Sequence, residues 1–413
     1  MAKSIYAIGT LDTKGPELSW LAGAIRACGF SVQVVDVGTL DNPKGLADIS
    51  REQVLGGASL PSSEHRGDAI RAMGDALRDF LIAENSAGRV AGVIGIGGSG
   101  GTSLITTALR SLPIGLPKIM LSTVASGNTA PYLDCSDITM MYSVVDVAGL
   151  NAVSRKVFAN AAHAIVGMVQ HQQPIESTKP ALGMTMFGVT TPCVTQIREA
   201  LESDGYDCLV FHATGTGGRA MEQLVRSDLI SGVLDLTTTE VADQVVGGVF
   251  PAGPDRFDAL IEKSVPLVIS LGAIDMVNFG SLSSVPECHQ NRILHVHNAE
   301  VTLMRTSADE NESIANWIAE KLNRGNSSWT LLIPEQGVSS LDSEGQPFHD
   351  PTANDACFET LESKLKTSSN RRIRRVAAHI NDTSFARVAL DEFRQLMAVN
   401  TQAKSGDSHV NKD

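Results

Sequence analysis

The sequence predicts an α/β protein made of two doubly wound, mostly parallel-sheet, Rossmann-like subdomains with a cleft between them. Three observations carry this. Short apolar runs rich in β-branched residues alternate with helix-like stretches from Lys3 to His379, the pattern of parallel strands covered by helices on both faces. A polar, proline-bounded stretch at 170–180 interrupts the alternation, which then restarts. This places one domain over 1–175 and another over 181–400. Each half also carries a glycine-rich loop between a strand and a helix.

Along the first half, residues 3–8 form a strand that ends in the loop 9–15, with Thr10, Asp12 and Lys14. Pro16 suits the first position of a helix running to about residue 28. A second strand at 31–37 has Asp36 near its carboxyl end. The segment 38–67 is too long for a plain connector and reads as a lid or an interaction loop. Residues 68–84 set Ile70, Met73, Leu77 and Leu81 on one helical face. Then come a buried strand at 90–96, the first glycine loop, and a helix resuming at 103–110. A strand at 117–122, a hydroxyl-rich loop at 123–131, a strand at 138–144 and a helix at 150–170 complete this half. In the second half, strands fall at 181–189, 208–212, 232–236, 266–270, 293–297, 329–333 and 373–379, with helices to about 203 and over 219–225. The polar tail 401–413 reads as disordered.

Composition narrows the functional classes. A net charge of −13 argues against bulk binding to nucleic acid or to an anionic membrane. No run of 18 apolar residues and no leader-like start is present, and the six cysteines are scattered without a C-x-x-C. These features predict a cytoplasmic protein with reduced thiols.

The glycine loops carry the chemistry. Five glycines fall within 95–101, more than a tight βα turn needs. Amides of Gly97, Gly98, Ser99, Gly100, Gly101 and Thr102 at a helix N-terminus suit a phosphate or carboxylate. The loop fits G-x-G-x-x-G, but no acid ends the next strand and no lysine follows the glycines, so a mononucleotide or smaller phosphorylated ligand fits better than NAD or a Walker-type site. Lys14 could neutralise phosphate and Asp12 could hold ribose or Mg²⁺, as readily as both could sit in a solvated turn. Ser126, Gly127 and Asn128 offer hydroxyl and amide groups after a neighbouring strand, or simply form turns. The second loop, with Gly215, Thr216, Gly217, Gly218 and Arg219, repeats the anion-cradle pattern with a guanidinium in the first helical turn. His295 and His297, at i and i+2 on one strand and followed by Asn298, are the candidate catalytic residues, contacting substrate or doing acid/base work; two imidazoles alone do not make a metal site. Cys193, at a helix start, reads as structural rather than as a dipole-activated thiolate.

Taken together, the loops Gly9-Thr-Leu-Asp-Thr-Lys-Gly15, Gly95-Ile-Gly-Gly-Ser-Gly-Gly-Thr102, Ser122-Thr-Val-Ala-Ser-Gly-Asn128 and Phe211-His-Ala-Thr-Gly-Thr-Gly-Gly218 occur in that order. Gly272-Ala-Ile-Asp-Met-Val-Asn-Phe-Gly280, His295-Val-His-Asn298 and the loop 334–351 follow. The chain thereby resembles, nearly to residue 400, a largely uncharacterised bacterial, fungal and plant family that includes the N-terminal ATP-binding domain of the tomato mosaic virus resistance protein. The resemblance implies two α/β subdomains, ATP binding and a homodimer. Longer members continue into a TIM-barrel domain, which this sequence lacks by expectation.

The resulting expectation is an ATP-binding protein, with Mg²⁺, acting on an unidentified small-molecule substrate as a phosphotransferase or ATP hydrolase. The alternatives are a nucleotide-gated interaction module, and a metal- or acid/base-dependent enzyme acting on a carboxylated or phosphorylated metabolite. No nucleic-acid or membrane partner is expected.

Overall fold

The computed structural model describes residues 3–61, 66–173 and 179–410. The chain divides into two units, Met1–Glu176 and Ser177–Asp413. Part of the linker read at 170–180, residues 174–178, lies outside the described residues.

Unit 1 runs β1 (Ser4–Gly9), α1 (Leu11–Ala27), β2 (Val32–Asp36), α2 (Arg51–Leu55), α3 (Arg66–Ser86), β3 (Val90–Gly97), α4 (Ser99–Leu109), β4 (Lys118–Ser122), α5 (Ala130–Leu133), β5 (Thr139–Tyr142) and α6 (Ala152–Gln170). Its five strands are all parallel, in the order β2-β1-β3-β4-β5. Alternation along the strands feeds two cores. Ile5, Ala7, Ile94 and Ile96 pack on Leu18 and Leu21 of α1 and on Phe158 of α6. Tyr6, Ile8 and Val93 pack on Met73 and Leu77 of α3 and on Leu104 and Ile105 of α4. Each Val, Leu, Ile, Met or Phe side chain so taken out of water contributes roughly 1.5–3 kcal/mol. Gly95 is needed for this packing: a Cβ there would meet Ile105 at 2.7 Å and Met120 at 2.8 Å.

Unit 2 runs β6 (Ala181–Met186), α7 (Thr191–Ser203), β7 (Asp207–His212), α8 (Thr216–Arg226), β8 (Gly232–Thr237), α9 (Thr239–Val246), α10 (Asp258–Glu262), β9 (Leu267–Gly272), β10 (Met276–Phe279), β11 (Leu294–Asn298), β12 (Val301–Arg305), α11 (Ala308–Leu322), β13 (Trp329–Pro334), α12 (Pro351–Lys364), β14 (Arg371–Val376) and α13 (Thr383–Val410). Six parallel strands stand in the order β14-β13-β9-β8-β6-β7. Read from the β7 edge, this repeats the unit 1 order with one strand added. One face packs on α7 and α13, the other on α8 to α12.

Two features depart from the sequence reading. The strand read at 293–297 is β11, but it stands in a small antiparallel sheet, β10-β12-β11, whose other two strands are absent from the sequence reading. Strand β10 is buried at every position, so it lacks the alternation that marks a strand. Helix α13 continues to Val410, through most of the tail read as disordered.

Candidate phosphate-binding site at the carboxyl edge of unit 1

In the strand order of unit 1 the chain leaves β1 and β3 toward opposite faces of the sheet, with α1 in one core and α4 in the other. That is the topological switch point, where open α/β sheets hold their ligands. A cavity of about 230 Å³ opens there, lined by Thr10, Asp12, Lys14, Arg66 and the Gly98–Gly101 turn, among others.

The β1 loop is held open by two aspartates. Asp36 Oδ1 accepts the N–H groups of Leu11 at 3.0 Å and Gly38 at 2.8 Å. Asp12 Oδ2 accepts the N–H of Leu40 at 3.0 Å. The first turn of α1 ends at Lys14, whose φ of −125° and ψ of 18° are not helical, and Pro16 then leads the main helix. Asp12 is 2% exposed, and its Oδ1 has no hydrogen-bond partner. A buried carboxylate oxygen without a donor is costly, so this atom suits a ligand hydroxyl or a cation.

The opposite wall is the N-terminus of α4. Gly98 is its N-cap and supplies no side-chain cap, so the amides of Ser99, Gly100 and Gly101 lie at the helix end with the positive pole of its dipole. The glycines divide in role. A Cβ at Gly97 would meet Gly101 backbone at 3.1 Å, whereas one at Gly98 would meet only Thr123 Oγ1, at 3.8 Å. Neither has a positive φ; Gly98 is extended, at φ −80° and ψ −164°. Gly97 is therefore a packing glycine, and Gly98 leaves open space on the cavity side. Lys14 and Arg66 make no ion pair among the described residues. Both cations thus stand beside an uncapped helix end, in the lining of one cavity, in a chain of net charge −13.

Two other assignments at this edge change. Thr102 is buried, and its Oγ1 pairs with Ser122 Oγ at 2.6 Å, so it braces α4 against β4 instead of facing the cavity. Ser126, Gly127 and Asn128 are exposed and do not line the cavity. Asn128 Oδ1 accepts the N–H of Ala130 at 3.2 Å, a local turn.

The second glycine loop follows β7, which is an edge strand and not the switch point of its sheet. The protein's own carboxylate fills it. Glu240 Oε1 accepts the N–H groups of Gly215 at 2.9 Å and Gly218 at 3.0 Å, and Glu240 Oε2 accepts from Arg256 at 3.1 Å. Gly215 has φ +78° and Gly217 packs directly on His212 O, so these glycines serve chain geometry. Arg219 donates to Pro251 O at 3.2 Å. Gly215, Thr216, Gly217, Gly218 and Arg219 therefore form a closed internal cap, correcting the anion-cradle reading.

His295, His297 and Asn298 lie on β11, an edge of the small antiparallel sheet. The register shifts between Val296 and Asn298, so His297 occupies a bulge that breaks the alternation on which a shared face rests. His297 is exposed, and His295 packs edge-on against Phe348 at 6.2 Å. Asn298 Oδ1 accepts the N–H of Glu300 at 2.8 Å, bracing the hairpin. Among the described residues no carboxylate pairs with either ring.

Arg66 is absent from the sequence reading, which starts this helix at Asp68, whereas α3 starts at Arg66. Its signal is a cation opening a helix after the long segment that follows β2.

Comparison with known proteins supplies the lineage. Residues 3–174 match the N-terminal domain, and residues 179–397 the C-terminal domain, of the Uncharacterised protein family (UPF0261). The chain belongs to the UPF0261 family. A UPF0261 protein of Rhizobium meliloti (strain 1021) is 53% identical over 399 residues, covering 95% of this chain and 99% of that protein. A UPF0261 protein of Mesorhizobium japonicum is 52% identical over 389 residues, covering 93% and 97%. The ToMV resistance protein Tm-1(GCR237) of Solanum lycopersicum is 46% identical over 418 residues, covering 95% of this chain and 55% of the tomato protein. The boundary between the two UPF0261 domains coincides with the division between the two units. No helix among the described residues is long and apolar enough to cross a membrane.

Proposed function

We propose that unit 1 binds ATP with Mg²⁺ through the cavity at the β1/β3 crevice, and that the protein uses the nucleotide in cytoplasmic small-molecule metabolism. The supporting observation is the convergence of the uncapped α4 N-terminus with Lys14 and Arg66, neither paired among the described residues. The amides of Ser99, Gly100 and Gly101 would take phosphate oxygens, with Lys14 and Arg66 neutralising the remaining charge. The unpartnered Asp12 Oδ1 fits a magnesium ion or a ribose hydroxyl. Bound Mg²⁺ would lower the charge on the phosphates.

The cavity of about 230 Å³ is small for a whole nucleotide. A groove of about 470 Å³ shares its Ile70, Ser99, Gly100 and Leu104 walls and continues along α3 and α4 past Gly67, Arg71 and Thr107. We assign the nucleoside to this groove. The acid/base reading centred on His297 loses support, because that ring sits exposed on a bulge.

Thermal denaturation with and without MgATP tests the assignment. The wild type is expected to melt higher with ligand, with the increment cut in Lys14→Ala and in Arg66→Ala. Equal increments in all three proteins place the phosphates elsewhere.

A further inference from the structure

At the carboxyl edge of the unit 2 sheet, two buried aspartates meet between three segments. Asp275 follows β9, and Asp342 lies in the 334–350 loop between β13 and α12; both are 0% exposed. Asp275 Oδ2 accepts from Ser339 Oγ at 2.7 Å. Asp342 Oδ2 accepts from the Val338 N–H at 2.9 Å and from Asn354 Nδ2 at 2.7 Å, while the Asp342 N–H donates to Ser339 O at 3.0 Å. Both carboxylates are thus tied to the same short stretch. In each, the other oxygen, Oδ1, is buried without a hydrogen-bond partner.

The charge does not balance if both are ionised. Among the described residues the cation against the pair is Arg305, at the end of β12, 3.7 Å from Asp342 Oδ1. Its donors are spent on neutral acceptors: Phe348 O at 2.6 Å, Thr306 Oγ1 at 2.8 Å, Asn354 Oδ1 at 2.8 Å and Asp350 O at 3.1 Å. From the segment after β14, His379 Nε2 lies 2.8 Å from Ser339 O, and its Nδ1 accepts the Asn381 N–H at 3.1 Å. That pattern makes Nε2 the donor and leaves the ring neutral. From α12 Asn354 faces the pair, through its bond to Asp342. Two carboxylates against one guanidinium leave a buried negative charge, which one proton neutralises, and that proton gives one of the two orphaned oxygens a hydrogen to donate.

We propose that Asp275 and Asp342 hold one proton as a pair, and that this proton latches the 334–350 loop to the ends of β9 and β12. Burial, and then the neighbouring Asp342, push the Asp275 carboxyl up to about 7, and burial raises Asp342 as well. A carboxyl whose folded pKa is raised binds more protons closed than open. The latch is therefore full below the ordinary carboxylate range and weakens as pH rises toward neutral, with no further loss above. The loop is otherwise tightly specified: Gly337 has φ +125°, a Cβ there would meet Asp342 O at 2.2 Å, and the Ala273 N–H donates to Val338 O at 2.9 Å from φ +58°. Separating the carboxylates would therefore release the segment as a whole.

Amide hydrogen exchange on the full-length chain tests this at Val338, whose N–H rests on Asp342. Its protection factor, corrected for intrinsic rate, is expected to fall roughly tenfold per pH unit between about pH 5 and about pH 7 and then level off. In Asp275→Asn the fall is expected to vanish. A flat wild-type profile, or the same fall in a folded Asp275→Asn variant, overturns the proposal. If the variant does not fold, infrared spectroscopy decides on an Asp243→Asn, Glu222→Gln background, because burial raises those two carboxyls as well. A carboxylic-acid C=O stretch should persist at about pH 6, where ordinary carboxyls are ionised, and disappear on the alkaline side of neutral. Its absence at about pH 6 refutes the shared proton.

Discussion

Glu240 accepts the backbone N–H of Gly218 at 3.0 Å, so the second glycine loop of this protein is closed by one of its own carboxylates. Arg256, fully buried, joins Glu240 to Asp235 at 2.7 Å and to Glu222 at 3.0 Å. Glu222 in turn accepts the N–H groups of Phe257 and Ala259. The arrangement looks like an anion site in sequence because it is one, already filled.

Glu240→Ala is therefore expected to destabilise unit 2 by roughly 3–5 kcal/mol, since two buried amides and part of a buried guanidinium lose their partner. Glu240→Gln, which keeps an acceptor oxygen, should lose less. Urea unfolding checks this through the midpoint at unchanged slope. Wild-type stability in the alanine variant would contradict the closure.

Gly97 and Gly98 should behave oppositely, although they are neighbours in one loop. Gly97→Ala forces a methyl to 3.1 Å from the Gly101 backbone and is expected to cost about 1–3 kcal/mol of stability. Gly98→Val adds its side chain into open space from an extended backbone and should melt close to the wild type. Circular dichroism melting curves separate the two. Equal destabilisation would mean that the loop's glycines serve packing alone.

Cys193 stands at the start of α7, where a helix dipole lowers a thiol pKa. Burial wins instead, pushing the thiol up to about 12. Iodoacetamide near neutral pH is expected to label the exposed Cys28 and Cys288 and to spare the buried Cys193 and Cys357 in the native protein, as read by peptide mass spectrometry. Native labelling of Cys193 would contradict this.

The parallel architecture was legible because buried parallel strands are continuous apolar runs, as in Val93–Ile96 or Leu331–Ile333, set between amphipathic helices. Strand order was not, because it depends on long-range pairing, and strand order distinguishes the loops: the Gly95 loop follows a central strand, the Gly215 loop an edge strand. The partner that fills the second loop lies 22 residues from Gly218, and nothing local announces it. Likewise, the hydroxyl of Thr102 reads as a ligand until Ser122, across the β3/β4 pairing, is seen to take it. The bulge at His297 escaped because a one-residue register shift leaves the spacing of the two histidines unchanged.

The central claim is that amides at the start of α4, with Lys14, hold the phosphates of a nucleotide. Isothermal titration of MgATP into the wild type and into Gly98→Val tests it most directly, with circular dichroism confirming that the variant is folded. The account predicts saturable binding to the wild type and a loss of a hundredfold or more in the variant, as two charge-assisted hydrogen bonds at roughly 1.5–3 kcal/mol each are displaced. Equal affinity in a folded Gly98→Val protein would contradict it.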